Sequence, residues 1–248
     1  MYENEKTNLI KPGMFGMTVA ADTRRQEFDF FNEQNLYQKT EIDYLFLGDS
    51  ITHWWNLHAY FQTDKYLENR GIGGDTSQYL LRRLDADCIQ LHPKCVIIMI
   101  GTNDITRTEP DLWWKVPGES TETVLSEYKD NIRKIIEKCD AAGIETVLCS
   151  VLPSKIAPPF NRVRRWEMTR LMNEYLQSLG KVYVDYHGAL SEDGKTISDS
   201  LSPDGIHPSA KAYAVMAKKL GEVLGIRVKG GLLADKELAI SRDGGCGI

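Results

Sequence analysis

Residues that could share one reaction stand far apart in the chain: Ser50, the glycine pair Gly73 and Gly74, Asn103, and the pair Asp204 and His207. A serine hydroxyl is a poor nucleophile until a base takes its proton, and that base needs a third group to orient it. In Asp204-Gly205-Ile206-His207-Pro208 both helpers come from one turn, Asp204 as orienter and His207 as base. Because His207 precedes a proline it is biased away from the helical region, while Pro208 suits a first helical position. His207 is therefore expected to stand extended at the mouth of a helix. Acyl transfer also develops an oxyanion, and the chain offers three donors for it: the N–H of Ser50, the N–H of Gly74 and the side-chain amide of Asn103. One such donor typically lowers the barrier by about 3 to 4 kcal/mol. Glycine at 74 lets an acyl group approach the backbone, and an amide donates without a titrating proton.

These groups can meet only if the elements before them end at one place. Tyr44 to Gly48 is a short apolar run closed by glycine, the pattern of a parallel strand buried on both faces, and Asp49-Ser50 follows it. A second strand over Tyr66 to Asn69 leads into Arg70-Gly71-Ile72-Gly73-Gly74-Asp75-Thr76. A third, Cys95 to Ile100, is the most apolar run and stops at Gly101-Thr102-Asn103-Asp104. Thr146 to Val151 and Val182 to Val184 read as a fourth and a fifth. In a parallel sheet the carboxyl ends of the strands share one rim, where open α/β folds place their chemistry.

Between the strands the apolar spacing is helical: from Asp22 or Thr23 to Tyr37 (Phe28, Phe31, Leu36), Ile51 to Phe61 (Trp54, Leu57, Phe61), Ser77 to Gln90, Glu119 to Cys139, Asn161 to Leu179, and from Pro208 to Leu224. Strands alternating with helices imply right-handed crossovers and helices on both faces of a five-stranded parallel sheet. Residues 185 to 203 form a connector without a period. Residues 1 to 225 are expected to form a single domain, with 1–40 as an arm and helix, followed by a C-terminal extension over 226–248. The loop from Ile105 to Gly118 is long for such a fold. Its Trp113 and Trp114, with Trp54, are candidates to wall a substrate site, either by stacking on a sugar ring or by lining an acyl pocket.

In four blocks the chain resembles the SGNH, or GDSL-type, hydrolases: Gly48-Asp49-Ser50-Ile51, Gly71-Ile72-Gly73-Gly74-Asp75-Thr76, Gly101-Thr102-Asn103-Asp104 and Asp204-Gly205-Ile206-His207-Pro208. The match runs in order over roughly residues 42 to 224, with Ile51 where the family's name has leucine. The glycine block is particularly similar to that of platelet-activating-factor acetylhydrolase catalytic subunits and microbial carbohydrate esterases. The resemblance implies a flavodoxin-like three-layer α/β/α fold, no metal or other cofactor, and ester hydrolysis through an acyl-serine intermediate. Ser50, Asp204 and His207 would be catalytic, and Ser50, Gly74 and Asn103 would form the oxyanion hole. The expected substrate is a short-chain acyl ester, acetyl foremost, of a carbohydrate or small alcohol. The alternatives are a lysophospholipase or thioesterase-type lipolytic enzyme, and a catalytically silent carbohydrate-binding module.

Rival chemistries fit less well. Thr76 stands at the third glycine of a G-x-G-x-x-G dinucleotide fingerprint, and the unit does not follow the first strand. An α/β-hydrolase elbow needs G-x-S-x-G, which Ser50-Ile51-Thr52 does not give. The other histidines, 53, 58, 92 and 187, are scattered, and none suggests a metal. A net charge of −5 without a basic stripe argues against nucleic-acid or anionic-membrane partners and for a small ester substrate; homo-oligomerisation is left open. Five cysteines without a Cys-x-x-Cys pair suggest reduced thiols and a cytoplasmic setting, with no apolar leader or membrane-spanning run.

Overall fold

The computed structural model describes residues 21–110, 117–155 and 165–230. In chain order the helices are α1 (Ala21–Gln38), α2 (Ser50–His53), α3 (Leu57–Tyr60), α4 (Ser77–Asp87), α5 (Thr102–Thr106), α6 (Thr121–Ala141), α7 (Arg165–Ser178), α8 (Tyr186–Leu190) and α9 (Ala210–Leu224). The strands are β1 (Tyr44–Gly48), β2 (Phe61–Gln62), β3 (Leu67–Gly71), β4 (Cys95–Met99), β5 (Glu145–Cys149), β6 (Val182–Val184) and β7 (Arg227–Val228). Five of them form one parallel sheet in the order β3-β1-β4-β5-β6, the flavodoxin-like winding in which the first strand sits inside the second.

Side chains alternate across that sheet, so each strand feeds two cores. Leu45, Leu47, Val96, Ile98 and Leu148 face α4, α6 and α7, meeting Leu80, Leu84, Ile132, Ile135 and Met172. Phe46, Ile97, Met99, Val147 and Val184 face the other way, onto Ile51, Tyr213, Met216 and Leu220 of α2 and α9. Burying each large aliphatic side chain is worth about 1.5 to 3 kcal/mol before entropy is charged. The result is the expected α/β architecture, with helices flanking a parallel sheet.

Register sets the rim. Gly48 lies opposite both Gly71 of β3 and Met99 of β4, so three neighbouring strands leave the sheet at one level. Ser50, the glycine loop and Asn103 therefore start from adjacent points. Glycine at 71 is needed for closeness, because a Cβ there would collide with the backbone of His53.

Several boundaries differ from the sequence reading. The helix expected over Ile51 to Phe61 is broken into α2 and α3, because the Asn69 side chain donates to Thr52 O (2.7 Å) and Trp55 O (3.1 Å), carbonyls that a continuous helix would use. The chain turns there, leaving Trp54 58% exposed while Trp55, at 2%, enters the core in its place. In α1 the expected core residue Phe31 is 53% exposed, and the buried face carries Arg25 and Asn32 beside Phe28. That helix docks by polar bonds: Arg25 pairs with Asp87, and Asn32 donates to Ala86 O at 2.9 Å. The connector after β6 holds α8, capped by Asp185. Pro208 lies before α9 rather than in it, because the Ser209 hydroxyl caps that helix by accepting from Ala212 N. Of the C-terminal extension, Arg227–Val228 pairs antiparallel with β2, and residues 231–248 lie outside the described residues.

Cys88, Cys95, Cys139 and Cys149 are buried free thiols. No helix among the described residues is long and apolar enough to cross a membrane.

Candidate active site

Ser50 opens α2 directly after β1, and Asp49 caps that short helix by accepting Ile51 N at 2.9 Å. This Asx-type bond fixes the turn that presents the serine side chain. Asp49 is fully buried, and burial pushes its carboxyl up to about 7.

His207 reaches Ser50 from the opposite end of the chain. Its Nε2 lies 2.9 Å from Ser50 Oγ, and its Nδ1 lies 2.6 Å from Asp204 Oδ2. The other oxygen of Asp204 accepts the N–H groups of Ile206 (2.9 Å) and His207 (2.7 Å). Desolvation raises the Asp204 carboxyl, but the His207 side-chain bond and these backbone bonds together outweigh it and hold the group at about 2. An ionised carboxylate only accepts, so the neutral imidazole must carry its proton on Nδ1 and turn the Nε2 lone pair toward the serine. The arrangement can therefore take a proton from Ser50. Behind it, the Tyr213 hydroxyl of α9 donates to Ile51 O at 2.7 Å, tying the histidine-bearing segment to the serine turn.

The three expected oxyanion donors converge on the same rim. Asn103, at the start of α5, donates from Nδ2 to Asp75 O at 2.8 Å. An amide nitrogen has two protons, and among the described residues only that bond uses one. Gly74 precedes Asp75, and its N–H has no partner among the described residues. At Gly74 the backbone adds a reason for glycine beside the expected one. A Cβ would meet nothing within 4 Å, but φ is +79°, a conformation that L side chains rarely adopt. Next to it, Gly73 faces Ser50, and a Cβ there would lie 3.8 Å from the serine Cβ.

Asp104 and Arg83 also support the site, without a role assigned to either from the sequence. Asp104 is buried and accepts from Ser77 N (2.9 Å) and Ser77 Oγ (2.5 Å), joining the third block to the second; burial pushes its carboxyl up to about 6. Arg83 is an arginine on the apolar face of α4, flanked by Leu80 and Leu84, and that misplaced charge was the available clue. Trp54 packs its indole on the His207 ring with centroids 4.3 Å apart. Trp113 and Trp114 lie outside the described residues. Among the described residues no group of three or more His, Cys, Asp or Glu side chains could hold a metal ion.

Comparison with known proteins bears on what this rim does. Residues 46–215 match the model of the GDSL-like lipase/acylhydrolase family. An acetylxylan esterase of Geobacillus stearothermophilus is 28% identical over 153 residues, covering 60% of this chain and 68% of that protein. The human platelet-activating factor acetylhydrolase IB subunit alpha2 is 25% identical over 189 residues, covering 74% and 76%. A solved structure of a candidate acylhydrolase from Bacteroides fragilis superposes with a TM-score of 0.62 at 27% identity, over 78% of this chain and 93% of that one. With the family model spanning every block that builds the rim, the chain belongs to the GDSL-like lipase/acylhydrolase family of carboxylic ester hydrolases.

Proposed function

We propose that the protein is a serine esterase that removes a short acyl group, acetyl foremost, from a carbohydrate or another small alcohol through an acyl-serine intermediate. The observation that carries this reading is the unbroken chain of contacts from Ser50 Oγ through His207 to Asp204.

In this mechanism Ser50 Oγ attacks the ester carbonyl as its proton passes to His207 Nε2, and the carbonyl oxygen becomes an oxyanion held by Ser50 N–H, Gly74 N–H and the free Asn103 amide proton. Collapse breaks the bond to the alcohol, which leaves with the proton from His207. Water then attacks the acyl-serine as His207 accepts its proton, and a second collapse returns that proton to Ser50 and frees the acid. Asp204 remains ionised throughout and stabilises the imidazolium formed in each half.

Acetyl is favoured because two similar proteins, the acetylxylan esterase and the acetylhydrolase subunit, are named for it. A sugar or comparable alcohol is favoured because Trp54 offers an exposed aromatic surface beside the base. A chromogenic acetate ester assayed with the wild type and Ser50→Ala tests the reading. Loss of turnover in a folded Ser50→Ala protein supports it, and equal rates end it.

A further inference from the structure

The three oxyanion donors proposed above sit on three different segments, and one buried side chain touches the support of each. Arg83 of α4 has no solvent exposure. Its Nη2 donates to Gly48 O at 3.0 Å, two residues before Ser50. Its Nη1 donates to Arg70 O at 2.8 Å, at the strand end that leads into the glycine loop, and to Asp87 Oδ2 at 3.0 Å. Its Nε donates to Asp75 Oδ2 at 2.7 Å, in the residue after Gly74. Asp75 in turn offers its carbonyl to Asn103.

We infer that Arg83 is a positioning residue for the oxyanion hole, a single planar guanidinium that fixes the Ser50 turn, the Gly74 N–H and the Asn103 amide relative to one another. It touches no reacting atom and acts through Gly48, Arg70 and Asp75. The fork geometry is essential. Five N–H donors in one rigid plane can span three chain segments, whereas an ammonium on a flexible stem is a point donor that cannot reach all four acceptors. Its charge is balanced within the core by Asp75 and Asp87. Asp87 also pairs with Arg25, so α1, which precedes the family-matched span 46–215, is tied to the same scaffold.

The inference rests on the proposed esterase mechanism, and Ser50→Ala separates the two. If Ser50→Ala keeps its activity, the mechanism itself fails. If Ser50→Ala is inactive while Arg83 variants are fully active, only the positioning role fails.

The experiment compares wild type, Arg83→Lys and Leu176→Ala, a remote core truncation in α7, by thermal melting, by kcat and KM on an acetate ester, and by affinity for a small boronic acid whose tetrahedral serine adduct places a hydroxyl in the oxyanion hole. For a folded Arg83→Lys the expected result is a fall in kcat on the order of a hundredfold with KM little changed, and an equal loss of boronate affinity. Leu176→Ala should lose thermal stability while keeping kcat and boronate affinity. A folded Arg83→Lys within about threefold of wild-type kcat overturns the role. So does a fall in kcat for Leu176→Ala that matches that of Arg83→Lys. Where Arg83→Lys does not fold, Asp75→Asn decides by the same split, because it weakens the bond between Arg83 and the loop and keeps the side chain's shape.

Discussion

Asp204 grips His207 at two points, accepting the backbone N–H at 2.7 Å with one oxygen and the ring Nδ1–H at 2.6 Å with the other. The first bond sets where the residue is, and the second sets which ring nitrogen holds the proton. Asp204→Asn is expected to lower kcat/KM by about 10⁴ with little change in KM, because a side-chain amide can donate to Nδ1 and turn a proton toward Ser50. Steady-state kinetics with a melting curve check this; a loss under about tenfold would contradict the orienting role. The same variant bears on acid stability. The folded-state pKa of Asp204 lies below its unfolded value, so its stabilising contribution is present above about pH 4 and is lost as pH falls through about 2. Asp204→Asn should flatten that acid limb slightly, since the group is half-exposed.

Asn103→Ala should lower kcat by about 10² to 10³ and leave KM within a few fold, because an oxyanion donor acts on the transition state and not on the bound ester. Kinetics on one acetate ester suffice. An unchanged kcat with a raised KM would make Asn103 a ground-state contact instead.

For Asp49 the pH dependence has the opposite sign. Burial lifts its folded-state pKa to about 7, above the unfolded value, so the folded state binds this proton more tightly than the unfolded chain does. Its contribution is fully present below about pH 4 and is lost as pH rises toward 7. Asp49→Asn, whose amide oxygen can still accept Ile51 N, should therefore lose less stability between pH 5 and 8 than the wild type does. Melting curves at the two pH values measure this, and identical shifts for both proteins would mean the carboxyl is ionised at no cost.

Trp54→Ala removes a side chain that is 58% exposed, so stability should change by no more than about 0.5 kcal/mol. The indole lies against the His207 ring, and the proposed function has its exposed face meet the sugar. For an acetylated sugar kcat/KM is expected to fall about two- to tenfold more than for a small chromogenic acetate. An equal effect on both substrates would assign Trp54 to holding the histidine ring.

How much of this was legible in the chain follows from what each signal depends on. The five parallel strands and their shared rim were readable because the apolar runs end near glycines or turn residues, and register does the rest, as with Gly48 opposite Gly71 and Met99; the flavodoxin-like winding came only with the family resemblance. Ser50, Asn103, Asp204 and His207 stood out by type and by position after strands. Trp54 was misassigned to a core face because helical spacing continues through it, while the break comes from Asn69 of β3, whose side chain captures the carbonyls of Thr52 and Trp55. Arg25, Arg70 and Arg83 carry no periodic signal as core residues, since their burial depends on Asp87, Asn32 and Asp75 arriving from other segments. Tertiary hydrogen bonding is the one ingredient that local pattern does not encode.

The central claim is that Ser50 is made nucleophilic by His207. Treating the protein with a fluorophosphonate and mapping the product by mass spectrometry tests it most directly. One phosphonyl group on the Ser50 peptide, formed at a rate that collapses in His207→Ala, is the expected result. No adduct at Ser50 in the folded protein, or an undiminished labelling rate in His207→Ala, would contradict it.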